Sequence, residues 1–167
     1  NPAYVAEYRL VGYENRLLDE KDFDNDKKDA GEMGAGHTVT ALYEIIPVGS
    51  KNAYKRNLKY QKEETAPIAE GNGEFATIKF RYKKPDGDKS ILIEKIIPNK
   101  TVTLDNASNN FKFSASVAGF GMLLRKSEYK GVNDYEKVLD LARESKGNDT
   151  DGYRSEFINL VELARQL

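Results

Sequence analysis

The chain has 167 residues, no cysteine, and a formal net charge of −1 at pH 7. This length suffices for one ordinary domain, and the lack of cysteine excludes disulfides and thiolate metal sites. The 26 basic and 27 acidic residues nearly cancel, so no overall field draws the chain to nucleic acid or to an anionic membrane. We therefore expect no nucleic-acid partner and no direct membrane insertion.

The N-terminal segments have the alternation of β-strands. Residues 4–11 alternate with period two, which predicts a half-buried strand. An acidic loop, 19–29, follows, and the alternation returns over 37–45 until Pro47 ends the strand or confines it to an edge. Between the loop and the second strand lie glycines that predict turns with positive φ: Gly31, Gly34 and Gly36.

The middle of the chain contains the clearest local signal. We interpret residues 49–73 as a long basic connection, with a short strand possible at 58–61. Segments 75–83 and 90–97 then flank Pro85-Asp86-Gly87-Asp88, in which proline begins a turn and Gly87 supplies the left-handed position. This pattern predicts a β-hairpin, and 101–104 could add a short strand.

After Asn106 the periodicity becomes helical. The first helix is apolar nearly all round, which is typical of a buried helix. Asn133 with Glu136 three residues later resembles a capping box that opens a second helix. Thr150 or Asp151 is expected to open the last helix.

Strands followed by helices predict an α+β fold. We expect an antiparallel sheet or β-sandwich from the N-terminal two-thirds, packed with about three C-terminal helices. The whole chain, 1–167, is interpreted as a single domain, mostly β over 1–105 and mostly α over 106–167. Because alternation starts within a few residues of Asn1, we expect that it was cut from a longer chain and that any leader lies upstream.

The acidic loop contains the only candidate metal ligands. Asp22, Asp24 and Asp26 have the opening spacing of a calcium loop, in which alternate carboxylates converge on one cation. However, the sixth position is Lys27 where glycine is needed, and the twelfth is Met33 where a bidentate glutamate is needed. A solvated acidic loop is the favoured interpretation, and no cofactor is predicted.

The other motifs do not supply a complete set of catalytic residues. His37 is the only histidine, so neither a zinc site nor a serine triad has its full set of residues. Gly119-x-Gly121 lacks the context of a phosphate loop and is better explained by close approach of a neighbouring element. The basic run around Tyr54 and Tyr60 could bind single-stranded nucleic acid, but a solvated loop is favoured.

Several longer stretches resemble one bacterial family. Five segments are similar to the C-terminal region of YfbK-like proteins. They are 11–18, 26–44, the run Val117-Ala118-Gly119-Phe120-Gly121-Met122-Leu123-Leu124-Arg125, the run 127–131, and Gly152-Tyr153-Arg154-Ser155-Glu156-Phe157. The basic stretch 49–73 departs from the family pattern.

This resemblance implies a domain of unknown function that follows a von Willebrand factor type A domain, in a protein exported to the bacterial cell envelope, often as a lipoprotein. The metal-dependent adhesion motif of that partner domain, Asp-x-Ser-x-Ser, does not occur in this sequence. The resemblance therefore supplies no site residues, and we expect a non-catalytic domain that binds the adjoining domain and other envelope proteins. The alternative is a carbohydrate-binding module with tyrosine platforms, for which the ten tyrosines are available.

Overall fold

A computed structural model of the chain describes residues 1–12, 18–51 and 73–167. The chain forms two compact units, Asn1–Thr101 and Val102–Leu167. The first contains the strands and the second the three α-helices, which confirms the α+β prediction. In the described ranges no helix has both the length and the apolar character needed to cross a membrane.

The first two strands form an antiparallel pair. β1 (Val5–Val11) pairs with β2 (Leu42–Pro47), and the ladder runs from Val5 opposite Pro47 to Val11 opposite Leu42. The prediction that the second strand begins near residue 37 was wrong. Among the described residues the strand begins at Leu42, which lies opposite Val11, the last residue of β1.

The predicted β-hairpin is confirmed. β3 (Glu74–Tyr82) pairs antiparallel with β4 (Ile91–Pro98), with Phe80 opposite Ile93 and Tyr82 opposite Ile91. The left-handed residue of the turn is Asp86, at a φ of 61°, and not Gly87 as expected. The two strand pairs are separate two-stranded sheets. A side-chain amide hydrogen bond joins Asn1 to the carbonyl oxygen of Glu74, at 2.7 Å.

The second unit consists of α1 (Asn109–Leu124), α2 (Tyr135–Ser145) and α3 (Tyr153–Arg165). Its core comprises side chains from the inward stripes of α2 and α3, namely Val138, Leu139, Ala142, Ile158 and Val161. Phe113 and Phe120 of α1 pack against Phe157 in edge-to-face geometry, with ring centroids 5.3 Å and 5.6 Å apart. Aromatic pairs in this arrangement add specificity to apolar burial.

Three expectations about the helical half require correction. Thr101–Leu104 forms no strand, and a single 3-10 turn lies at Leu104–Asn106. The cap of α2 is Asp134, whose carboxylate accepts the Lys137 N–H at 2.8 Å, and not Asn133. At α3 the N-cap position is Gly152, in left-handed conformation, and neither Thr150 nor Asp151 caps it.

Asp149, which precedes α3, accepts hydrogen bonds from backbone N–H groups in the first turn of that helix. Its two carboxylate oxygens accept the N–H groups of Arg154 at 3.0 Å and of Ser155 at 2.8 Å, and the Ser155 hydroxyl at 2.7 Å. The left-handed Gly152 lets the chain turn back so that Asp149 reaches these donors. The carboxylate that caps the start of α3 is therefore that of Asp149, close to the two candidates Thr150 and Asp151.

Candidate functional site

The acidic loop is bound to the β3–β4 hairpin by an ion pair and hydrogen bonds. Asp24 pairs with the Arg81 guanidinium at 2.5 Å, and Asp26 accepts the Ser90 N–H at 3.0 Å and its hydroxyl at 2.5 Å. The ring of Phe23 lies under the same guanidinium, 5.4 Å from it. Arg81 and Ser90 can act together because one face of the hairpin presents both of them, a consequence of the period-two alternation of strand side chains.

The contacts also set the charge state of Asp26. The hydrogen bonds from the Ser90 hydroxyl and the Ser90 N–H outweigh the desolvation of the carboxyl and, with smaller contributions from the charges of Lys83 and Arg81, hold the pKa of Asp26 below its ordinary value. The carboxylate therefore stays ionised and bound to the hairpin at neutral pH.

The three calcium candidates have different partners. Asp22 pairs with Lys28 at 3.1 Å, while Asp24 and Asp26 bind the hairpin. Across the three described ranges, no group of three or more histidine, aspartate or glutamate side chains is placed to hold a metal ion. His37 is exposed and its N–H donates to the Gly34 carbonyl oxygen at 3.2 Å.

The other face of the hairpin is mostly apolar and open. Directly paired residues share a face of a sheet. The register places one charged residue, Lys95, on this face opposite Ile78, together with five large side chains, and we call this surface the hairpin face: Ile78, Phe80, Tyr82, Ile91 and Ile93. Phe80 and Ile93, which lie opposite each other at its centre, are each 50% exposed. An isolated two-stranded hairpin is marginally stable in water, so a face of this kind favours a covering partner.

A second surface on the first unit presents two tyrosines. In the β1–β2 ladder Tyr8 lies opposite Ile45, and Leu10 lies opposite Tyr43. The two tyrosines are therefore diagonal neighbours on one face, and they are 73% and 55% exposed. The opposite face carries the ion pair between Arg9 and Glu44, at 2.5 Å.

In the helical unit, α1 is only half covered. Ser116 and Gly119 are its buried residues, and Phe113, Phe120 and Leu123 pack against the core. The outer side stays open, contrary to the expectation of a helix buried all round. The large side chains on this outer side are Phe111, Val117 and Leu124, which are 49%, 43% and 55% exposed.

Two features were not predicted from the sequence: the binding of the acidic loop to the β3–β4 hairpin, and the hydrogen bonds of the Arg154 guanidinium to residues of α1 and α2. The loop was interpreted as solvated because its own lysines offset its charge, whereas it is Arg81 and Ser90, more than 50 residues away, that bind it. The available signal was the alternation of Arg81 with Phe80 and Tyr82, which marks one polar and one apolar face of the strand. The predictions for Tyr54, for Tyr60 and for a strand at 58–61 concern residues outside the described ranges.

The comparison with known proteins decides the family. The sequence profile described as "Uncharacterized protein YfbK, C-terminal" matches residues 1–167. The chain belongs to this YfbK C-terminal family. It is 39% identical over 164 residues to the uncharacterized protein YfbK of Escherichia coli strain K12. No solved structure matches.

The match covers 98% of this chain but 28% of the YfbK sequence, so the chain spans less than a third of that relative's length. The resemblance predicted from the sequence is thereby confirmed. One of the stretches that carried it, Gly152-Tyr153-Arg154, has a visible structural role, since Gly152 and Arg154 take part in the start of α3 described above.

Proposed function

We propose that this chain is a non-catalytic interaction domain that packs against a von Willebrand factor type A domain within a longer bacterial cell-envelope protein. The observation that carries the proposal is the hairpin face, where Phe80 and Ile93 are half exposed at the centre of an apolar surface. Surfaces of this kind on soluble proteins mark contact sites. Membership of the YfbK C-terminal family and the greater length of the relative support an adjoining domain.

The chemistry of the described residues supports a binding role over catalysis. The only histidine, His37, is exposed, and two carboxylates of the acidic loop, those of Asp24 and Asp26, are engaged by the hairpin. Electrostatic stabilisation and proton transfer need groups that converge on a shielded reacting atom. The proposal of an envelope location rests on the family resemblance alone, and fractionation of cells that express the full-length protein tests it.

A matched pair of substitutions on β4 tests the contact. Ile93 and Ile96 are 50% and 48% exposed, and they lie on opposite faces of the hairpin. We expect Ile93→Ser to weaken binding between this chain and the separately expressed upstream part of its protein. Since burial of one isoleucine contributes about 1.5–3 kcal/mol, the loss should be roughly tenfold or more.

The control, Ile96→Ser, should bind within about twofold of the wild type, because its side chain lies outside the proposed contact. Calorimetry or biosensor binding measures both variants, and urea unfolding confirms that each is folded. Absence of any association between the wild-type parts, or an equal loss in the two variants, would contradict the proposal.

A carbohydrate-binding role is the second candidate, and the paired tyrosines favour it. Tyr8 and Tyr43 present two exposed rings on one face of β1–β2, where the C–H faces of a sugar can stack on them. A glycan array and a peptidoglycan pull-down test this candidate. Tyr8→Ala should abolish any binding that is found. The control is Tyr153→Ala in the helical unit, which should leave binding intact, since Tyr153 is as exposed as Tyr8, at 73%, but lies away from the paired tyrosines.

A further inference from the structure

The β3–β4 hairpin is held at its two ends and is open along its middle. At the end away from the turn, the side-chain amide of Asn1 donates to the carbonyl oxygen of Glu74. At the turn end the hairpin is bound by the acidic loop. Between these ends residues 77–80 and 91–96 are exposed, and none of the described residues of the first unit is buried. Since a two-stranded hairpin is marginally stable by itself, the contacts at its ends decide how well it is ordered.

The contact at the turn end joins both strands to the acidic loop. Arg81 belongs to β3, Ser90 immediately precedes β4, and the guanidinium donates to the Ser90 hydroxyl at 3.0 Å. Asp24 binds that guanidinium, and Asp26 accepts the N–H and the hydroxyl of Ser90. Lys83, just after β3, donates to the backbone carbonyl oxygen of Asp26. We call this set of five residues the loop–hairpin contact.

The turn between the strands gives little support of its own. Residues 83–90 separate β3 from β4, whereas the turns that pair strands best have two residues. Within this connection Asp86 has a φ of 61°, a left-handed conformation that is unfavourable for a residue with a Cβ atom. The loop–hairpin contact is therefore what holds the end of β3 beside the start of β4.

This contact is polar and lies close to solvent. The side chain of Asp24 is 78% exposed and that of Arg81 is 27% exposed, and the Phe23 ring beneath the guanidinium is its apolar neighbour. Salt screens exposed ion pairs. Segments held mainly by exposed polar contacts open at a lower free energy than a packed core does. The loop–hairpin contact can therefore open while the helical unit, which has its own core, stays folded.

We infer that the loop–hairpin contact is a salt-sensitive conformational device, which orders the hairpin and so prepares the hairpin face for the adjoining domain. The inference rests on the proposed function and adds its regulation. The loop binds the polar face, opposite Phe80 and Ile93, so it acts without touching the partner. An ordered hairpin loses less conformational freedom on association than a loose one, and it therefore binds more tightly.

Hydrogen exchange of this chain, followed by mass spectrometry, tests the inference without any partner. Asp26→Ala removes the acceptor of Ser90, and the backbone amides of β4 should then exchange at least roughly tenfold faster. The reason is that losing hydrogen bonds to a charged group shifts an opening equilibrium by about that factor. Amides of α2 and α3 should keep their wild-type rates, which shows that the variant is folded.

Asp29→Ala is the matched control. It removes the same charge from the same loop, at an exposed position outside the loop–hairpin contact. Exchange of the β4 amides should stay within about twofold of the wild type, as is usual for an exposed surface charge. Exchange that is no faster in Asp26→Ala than in Asp29→Ala would overturn the inference.

Salt gives the second arm of the test. Raising sodium chloride from about 0.1 M to about 1 M shortens the Debye length from about 10 Å to about 3 Å. The β4 amides of the wild type should exchange several-fold faster at the higher concentration. Asp26→Ala should respond less, because its contact is already open. An equal response of the two proteins would contradict a salt-sensitive contact.

Binding to the separately expressed upstream part connects the device with the proposed function. Asp26→Ala should weaken this binding by roughly threefold or more, although Asp26 lies on the opposite face of the hairpin, and Asp29→Ala should not. If Asp26→Ala changes neither exchange nor binding while Ile93→Ser still weakens binding, the inference fails and the proposed function stands. If the wild-type parts do not associate, the proposed function fails, whereas faster exchange in Asp26→Ala still supports the salt-sensitive contact.

Discussion

At the scale of single residues, Arg154 connects all three helices. Its guanidinium donates to the carbonyl oxygens of Lys146 at 2.9 Å and Ser145 at 3.3 Å, at the C-terminal end of α2. It also donates to the Asn110 side chain of α1 at 2.7 Å and lies 4.8 Å from the Phe113 ring. A cation at the C-terminal end of a helix also opposes the helix dipole.

We expect Arg154→Lys to destabilise the helical unit by about 1.5–3 kcal/mol, since an ammonium cannot reproduce the planar set of donors. Urea unfolding followed by circular dichroism measures the change. Arg143→Lys is the control, because Arg143 forms a surface ion pair with Glu162, and such pairs contribute about 0–1 kcal/mol. An equal effect of the two substitutions would show that Arg154 has no special role.

Asp149 gives a prediction about pH. Desolvation alone would raise its pKa, but the hydrogen bonds from the Arg154 N–H and from the hydroxyl and N–H of Ser155 outweigh it, and the pKa of Asp149 is lowered. A carboxyl whose pKa is lower in the folded state stabilises that state fully above its unfolded pKa of about 3.9, and the contribution disappears as pH falls through the folded value.

We therefore expect Asp149→Asn to unfold at lower urea concentration than wild type above about pH 5, with the gap closing as pH falls below about 3.9. Asp151→Asn is the matched control, since Asp151 is exposed and does not cap α3. A gap that stays constant down to pH 2, or one of equal size for Asp151→Asn, would exclude the charge of Asp149 as the cause.

At the scale of elements, the two glycines of α1 distinguish its covered side from its open side. Gly121→Ala replaces a flexible residue at a position with free space and should stabilise the isolated chain by about 0.5–1 kcal/mol. At Gly119 the new Cβ would lie 3.3 Å from the Val138 side chain of α2, so the helix-propensity gain is offset by crowding of roughly 1–3 kcal/mol.

Urea midpoints of the two alanine variants measure this difference directly. Gly119→Ala should be less stable than Gly121→Ala by about 1 kcal/mol or more. Equal stabilisation by both alanines would mean that α1 and α2 pack more loosely at Gly119 than the geometry indicates.

At the scale of the whole molecule, the isolated chain leaves apolar surface open on each of its two units. On the first it is the hairpin face around Phe80, and on the second it is the outer side of α1 around Val117. Surfaces of this kind bind apolar dyes and promote association. Coverage by the rest of the protein would remove both effects.

We expect the folded isolated chain to enhance anilinonaphthalene sulfonate fluorescence at pH 7, and the full-length protein to do so less at equal molarity. The reason is that surface buried between domains no longer takes up the dye. Ile93→Ser in the isolated chain should lower the signal and serves as a check that the hairpin face is the source. A stronger signal from the full-length protein would contradict coverage of these faces.

Elements with local causes could be predicted from the amino-acid sequence. Period-two alternation with a proline-initiated turn predicted the β3–β4 hairpin, and the change to helical periodicity after Asn106 predicted the three helices. The family was also readable from contiguous stretches such as 117–125. Element ends were less accurate: the alternation starts at residue 37, whereas β2 starts at Leu42 among the described residues.

Features that depend on residues far apart in the chain became visible with the three-dimensional fold. The loop carboxylates Asp24 and Asp26 bind Arg81 and Ser90, and no local pattern indicates which distant cation a carboxylate will meet. Likewise, the apolar composition of α1 predicted burial on every side, because composition cannot show which neighbours are present. The structure separates Gly119, which packs on Val138, from Gly121, which faces open space, because only the packed helices show which side of α1 is covered.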